Sequence, residues 1–204
     1  MRGVSEIVEL RRYTLHPGQR DVLIELFDRE FVESQEATGM LVLGQFRDLG
    51  DPDQFVWVRS FPDMATRRTA LTAFYGGPVW KANSAAANAT MIDVDNVLLL
   101  RPAGRNGGFR LDPAVRDTPA SGVVVASIYD VPAPADDALV DLFERTVTPL
   151  GLLRTEYAVN NFPALPIRTG VHKVVLFTSH ADLRGLPTPS EQLLLAPTDR
   201  SMLR

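Results

Sequence analysis

The order of apolar and polar positions in the first half of the chain predicts strands and helices in a defined series. Residues 6–15 alternate between the two classes, which is the period of a β-strand. Apolar residues then recur every three or four positions between 19 and 37, as in an amphipathic helix. The elements that follow are strands at 40–47 and 54–61, a helix that opens at 62–63 and breaks at 76–78, a short helix at 79–89 and a strand at 95–101.

The second half repeats this order with different residues. It predicts strands at 123–131, 152–160, 171–178 and 192–196, with a helix at 135–147. Residues 181–189 are too few and too rich in proline for a full helix, so we expect a shortened second helix. The glycines and prolines of the stretch between the halves indicate a connecting segment. We therefore predict a module at 1–103, a linker at 104–120 and a module at 121–204.

Each half has the β-α-β-β-α-β order of a ferredoxin-like module, which predicts an α+β fold. In such a module the helices cover one face of the sheet and leave the other bare. Two modules in one chain can bury their bare faces against each other. We expect this packing to enclose a pocket for a small organic molecule between the modules.

Composition narrows the function classes. The net charge of −4 is spread along the chain, so it predicts no nucleic-acid partner. The chain has no cysteine, which rules out disulfides, thiolate nucleophiles and iron–sulfur clusters. The apolar runs are of strand length and there is no export signal, so we expect a cytoplasmic protein that does not cross a membrane.

Polar side chains alternate with apolar ones on the predicted strands and are candidates for the pocket wall. We predict three catalytic residues among them: Arg11, Tyr13 and Arg59. The arginines would bind an anionic or carbonyl group, and Tyr13 or Glu9 would transfer a proton. Four further residues are predicted ligand contacts: Glu9, Gln45, Arg47 and Trp57. The alternative is an internal Glu–Arg network whose members pair only with one another and bind no ligand.

The stretch from Tyr75 to Asn83 places Tyr75 and Trp80 on either side of a glycine pair. With Asn83, these aromatic residues are candidates for the mouth of the pocket, and the alternative is a helix break whose aromatics only pack. The glycines match no phosphate-binding loop. None of the three histidines has a second ligand at metal-site spacing, so we predict neither metal nor cofactor. His172 is a candidate base near Asn160 and Asn161, or a solvated loop histidine.

Several segments resemble the NIPSNAP family. They are ELRRYTLHPG at 9–18, QFRD at 45–48, FVWVR at 55–59, FYGGPVW at 74–80, the closing strand at 88–102 and a second-module loop at 161–168. The resemblance implies the dimeric α/β-barrel superfamily. Its members include cofactor-independent monooxygenases, isomerases, cyclases, dehydratases and haem-degrading enzymes, together with proteins of no known activity. The family name therefore implies an architecture more than a reaction.

Three functions follow as hypotheses. The first is a cofactor-free enzyme acting on a small metabolite, and the second is a non-catalytic module that binds a ligand or another protein. The third is a haem-handling protein that uses His172 or His16. Strand edges left free after the modules pair would also favour a homodimer.

Overall fold

The computed structural model describes residues 6–204, whose eight strands close into one antiparallel barrel. The strands are β1 (Ile7–Leu15), β2 (Leu41–Asp48), β3 (Gln54–Phe61), β4 (Met91–Pro102), β5 (Val124–Asp130), β6 (Gly151–Thr155), β7 (Lys173–Thr178) and β8 (Glu191–Pro197). The α-helices are α1 (Arg20–Leu26), α2 (Val32–Glu36), α3 (Met64–Gly76), α4 (Pro78–Asn88) and α5 (Asp137–Thr146). No helix among these residues is long and apolar enough to cross a membrane.

The barrel order is β1-β3-β2-β8-β5-β7-β6-β4, so the same arrangement occurs in each half. In both halves the first strand lies between the third and the fourth. The halves are joined by β2 with β8 and by β4 with β6, each through three residue pairs. All eight strands thus pair on both sides, and the free edges expected to favour a homodimer are absent from the barrel.

The interior of the barrel is an apolar core formed by both halves. Strand alternation turns Val8 and Leu10 inward from β1, while Ala126 and Ile128 do the same from β5. These side chains are almost completely buried, as is Phe177 of β7. Hydrophobic packing between the halves is therefore the main force that holds them together.

The helices of the first half cover the outside of its sheet. The helix predicted over 19–37 is interrupted by a π-helical turn, Phe27–Phe31, which separates α1 from α2. Gly77 lies between α3 and α4. The turn brings its backbone so close to α3 that a Cβ at this position would lie 2.8 Å from the carbonyl oxygen of Ala73. Pro78 then opens α4 at a position where its missing N–H costs no helix hydrogen bond.

The second half has one helix over its sheet. The shortened second helix predicted at 181–189 is wrong, since this segment forms turns, from which Leu183 and Leu186 pack beside α5.

The segment between the halves also does more than connect them. Its Phe109 and Leu111 pack against the barrel core, and the Phe109 ring lies 5.3 Å from that of Phe177. This segment therefore closes one end of the barrel.

Candidate functional site

A buried carboxylate surrounded by three arginines lies between the sheet and the helices of the first half. Glu9 Oε2 accepts hydrogen bonds from Arg11 Nη1 at 2.7 Å and from Arg59 Nε at 2.8 Å. Glu9 Oε1 accepts one from Arg67 Nε at 2.7 Å. All four side chains have an exposed fraction of 0%. We call these four residues the Glu9 cluster.

The Glu9 cluster carries more positive than negative charge. Burial opposes ionisation of Glu9, but the guanidinium groups of Arg59, Arg11 and Arg67 outweigh it and hold the pKa of the Glu9 carboxyl well below its usual range. One carboxylate thus faces three guanidinium groups. Among residues 6–204, no side chain or carbonyl accepts from Nη2 of Arg11 or of Arg67. The network therefore leaves buried N–H groups without an acceptor, which argues against a purely structural ion-pair cluster.

Aromatic rings connect the Glu9 cluster to a cavity. Arg11 Nε donates to the Tyr13 hydroxyl at 3.0 Å, and burial raises the pKa of that phenol. The Arg59 guanidinium lies 4.9 Å from the centre of the Trp57 ring, within cation–π range. Arg59 also reaches the Tyr75 hydroxyl at 3.5 Å. Tyr13 is consequently a neutral phenol that already accepts one hydrogen bond and keeps its own proton to donate.

The cavity has a volume of about 90 Å³ and lies among aromatic rings. We call it the aromatic pocket, and its ring-bearing residues are Tyr13, Phe27, Phe31, Trp57, Phe74, Tyr75 and Trp80. Gln35 and Asn88 add polar groups to the wall. The volume is below the roughly 300 Å³ of typical ligand sites. A ring-sized ligand would therefore need more room than the cavity offers beneath the loop that covers it.

That covering loop belongs to the second half and joins β6 to β7. Arg67 Nη1 donates to the side-chain oxygens of Asn160 at 3.1 Å and of Asn161 at 2.9 Å. The Phe162 ring stacks on Tyr75 with centroids 5.9 Å apart, and Leu165 lines the pocket. The site of the first half is thus completed by side chains of the second.

The structure brings seven of the predicted residues together, on the side of the sheet opposite to the one we expected. They are Glu9, Arg11, Tyr13, Trp57, Arg59, Tyr75 and Trp80. The prediction that the polar face lies between the two modules is wrong. The face with Val8 and Leu10 meets the other half, because burying apolar side chains there costs no desolvation of charge. The polar face is covered by helices instead.

The other four predicted residues lie apart from the pocket wall. Gln45 Nε2 reaches Asp28 at 3.4 Å, and Arg47 pairs with Asp21 on the surface. Asn83 donates to the backbone of its own helix. His172 Nδ1 lies 2.7 Å from the Tyr157 hydroxyl, in a pair formed within the second half.

Sequence reasoning missed Arg67 and Gln35, although Arg67 carried a detectable signal. It precedes Leu71 by four residues and Phe74 by seven, so it lies on the apolar stripe of α3. A charge on such a stripe is unusual and indicates a buried partner. Gln35, whose side-chain oxygen accepts from Arg59 Nη1 at 3.1 Å, carried no comparable signal.

The described part of the second half has no counterpart of the Glu9 cluster. Its outward positions on β5 are Ser127 and Tyr129, and those on β7 are Val174 and Leu176. The Tyr129 ring packs 4.8 Å from that of Phe143 on α5. This side of the second sheet is therefore mainly a packing surface.

The first half is similar to a family of known proteins. The NIPSNAP family model matches residues 8–104. A NIPSNAP-like domain protein from Burkholderia xenovorans is 22% identical over 49% of this chain and 87% of its own, with a TM-score of 0.45. A NIPSNAP family protein of unknown function from Agrobacterium tumefaciens is 17% identical, with a TM-score of 0.45, over 50% of this chain and 95% of its own.

Similarity over both halves is found with a further solved structure. It is a protein from Fusobacterium nucleatum proposed to be a monooxygenase, with a TM-score of 0.58 and 11% identity. The match covers 97% of this chain and 94% of that chain, so the two share the whole fold. No curated protein matches the sequence.

Proposed function

We propose that this chain, whose residues 8–104 match the NIPSNAP family model, binds a small planar organic acid in the aromatic pocket and acts on it without metal or nucleotide. The observation that carries the proposal is the excess of guanidinium over carboxylate groups in the Glu9 cluster, directly behind the pocket wall. A buried excess of positive charge favours an anion close by. The aromatic walls favour a flat, apolar body.

Tyr13 is the residue that we expect to touch the ligand. Its ring lines the pocket, its hydroxyl accepts from Arg11, and its own proton is available. A phenol polarised by a guanidinium is a strong hydrogen-bond donor to a carbonyl oxygen or to an enolate or phenolate. In an enzyme, such a donor would stabilise the anion formed when the substrate loses a proton. Arg11 and Arg59 would act through Tyr13 and Trp57 as positioning residues.

A ligand screen with a matched pair of variants tests this proposal. We expect planar acids such as salicylate to raise the melting temperature more than their neutral amides do. We also expect them to quench the fluorescence of Trp57 and Trp80, which both line the pocket. Tyr13→Phe should weaken this binding about tenfold, since it removes one charge-assisted donor. Tyr157→Phe, an exposed tyrosine of the second half, should bind like the original protein. Equal affinity for acids and amides, or no effect of Tyr13→Phe, contradicts the proposal.

Binding without turnover is the second candidate, and the small volume of the pocket favours it. A pocket of about 90 Å³ leaves little room for substrate and dioxygen together. Oxygen uptake and product analysis with each bound acid separate the two candidates. The haem hypothesis has no support from the site, since no histidine among residues 6–204 lines the pocket.

Three further proposals concern organisation and location. The halves 1–103 and 121–204 are interpreted as ferredoxin-like modules joined by a linker at 104–120, and the repeated strand order supports this. The protein is proposed to be cytoplasmic. A homodimer remains a proposal as well, now without the argument from free strand edges.

A further inference from the structure

The end of the barrel opposite Phe109 opens into a second cavity, of about 430 Å³. Its apolar floor is formed by Leu10 and Leu98 of the first half and Ile128 of the second. We call it the mouth cavity. Its volume lies within the roughly 300–1,000 Å³ of small-molecule sites. It faces the barrel interior, so it is separate from the aromatic pocket on the outer side of the sheet.

Four charged residues at the rim of the mouth cavity neutralise one another. Arg12 Nη1 donates to Glu191 Oε2 at 2.8 Å, which links the two halves across the rim. Lys173 forms an ion pair with Asp130 within the second half. The hydrogen bond from Lys173 lowers the pKa of the Asp130 carboxyl, so this pair stays charged at neutral pH.

Arg168 adds a fifth charge, and Asp130, the carboxylate that it attracts through space, is already paired with Lys173. Its backbone N–H donates to the carbonyl of Val97 at 2.9 Å, which fixes the residue beside β4. Its guanidinium makes no ion pair or hydrogen bond with any residue from 6 to 204. The rim therefore carries one net positive charge in a chain whose net charge is −4.

We propose that the mouth cavity binds an aliphatic monocarboxylate. The carboxylate would pair with Arg168, and the hydrocarbon body would cover the apolar floor between the halves. The single excess charge matches a monoanion. The carboxylates of Asp130 and Glu191 would repel a dianion such as a phosphate monoester.

Titration with hexanoate, followed by amide chemical shifts, tests the proposal, with hexan-1-ol as the uncharged probe. We expect saturable shifts at mouth residues with hexanoate, and affinity at least about tenfold lower for hexan-1-ol and for Arg168→Gln. Arg168 is exposed, so this variant should fold normally. Arg184→Gln is the matched control, because Arg184 is also exposed and pairs only with Asp182. Asn96→Trp, which fills the rim, should abolish binding.

Three results overturn the proposal. They are equal affinity of Arg168→Gln and the original protein, equal affinity for hexan-1-ol and hexanoate, and shifts confined to the aromatic pocket. Tyr13→Phe distinguishes the two sites, since it should leave hexanoate binding unchanged. Failure at the mouth cavity therefore leaves the proposal for the aromatic pocket standing.

Discussion

At the scale of single residues, Glu9 is the carboxylate on which three buried arginines converge. Burying a guanidinium group costs free energy because the group loses its hydration. The charge-assisted hydrogen bonds to Glu9 offset part of this cost. Removing the carboxylate would leave three like charges close together without their shared partner. The stability of the site therefore depends on this residue more than on any single arginine.

Glu9→Gln tests this dependence. We expect it to lower the free energy of unfolding by about 3–5 kcal/mol, the cost of leaving buried charges without their partner. Urea unfolding at neutral pH measures the change. Glu30→Gln is the control, since Glu30 pairs with the exposed Arg29, and its effect should stay within about 0.5 kcal/mol. A loss below about 1 kcal/mol for Glu9→Gln would show that the arginines are compensated in another way.

Asp28, in the π-helical turn, makes the stability of the folded protein depend on pH in a separate way. Burial raises its pKa to about 6 from 3.8, in spite of the nearby Arg200 and Arg47 guanidinium groups. Asp199 adds repulsion in the same direction. Between these two pH values the folded protein holds a proton that the unfolded chain has released. Its contribution to stability is therefore complete below pH 3.8 and is lost as the pH rises to about 6.

Asp28→Asn should remove this loss. The difference in free energy of unfolding between the variant and the original protein should grow in favour of the variant from about pH 4 to pH 6 and then level off. Urea unfolding at half-unit steps of pH measures it. The difference cancels contributions from other acids, Glu9 included. A constant difference across this range would mean that Asp28 titrates normally.

Residue patterns predicted which side chains share a face of the sheet, and they could not predict what covers that face. Alternation correctly grouped Glu9, Arg11 and Tyr13. Both faces of the sheet are buried, one by the other half and one by helices, so the usual contrast between core and solvent is missing. The partner for these charges, Arg67, comes from a helix whose docking depends on tertiary contacts.

At the scale of elements, the break between α3 and α4 positions both Tyr75 and Trp80 at the pocket. The chain turns at Gly77, where the carbonyl oxygens of Ala73 and Phe74 leave no space for a side chain. Gly76, one residue earlier, has open space around the position of a Cβ. The two glycines are therefore not equivalent, although they are adjacent in sequence.

Gly77→Ala should destabilise the protein by about 1–3 kcal/mol, because the added methyl group overlaps backbone atoms that cannot move without shifting α3. Gly76→Ala, a change of the same size in the last residue of α3, should be neutral or stabilise by up to about 1 kcal/mol. Thermal unfolding of both variants gives the comparison. Equal losses would place the constraint in the conformation of the glycine pair and not in the contact with Ala73.

Helices and strands with clear periodicity were confirmed, and the elements that were wrong had their form decided by distant contacts. The π-helical turn arises where Phe27 and Phe31 both enter the core, with rings 5.9 Å apart. The apolar residues of the connecting segment show no regular spacing, yet the ring of Phe109 packs against that of Phe177. Such contacts depend on parts of the chain that a local pattern does not include.

At the scale of the whole molecule, the closed barrel leads us to expect that the two halves unfold together. Their inward side chains share a single core, and the loop after β6 contacts Arg67. Both tryptophans, Trp57 and Trp80, lie in the first half. Their fluorescence therefore reports whether a substitution that destabilises the second half also destabilises the first.

Phe143→Ala tests this coupling. Phe143 is 1% exposed on α5, so its truncation should cost about 3–5 kcal/mol. We expect the tryptophan transition and the far-UV circular dichroism transition to shift together to lower urea concentration. Val159→Ala is the control, because Val159 is 87% exposed. A tryptophan transition that stays in place while the helical signal moves would show that the halves unfold separately.

The loop carrying Asn160 and Asn161 also bears on how such a protein can change over time. In a pair of identical subunits, every substitution alters both copies of a site at once. Here one half supplies the Glu9 cluster and the other supplies part of its cover, so we expect each half to vary under a different constraint. The covering half, accordingly, has one helix over its sheet where the other half has several.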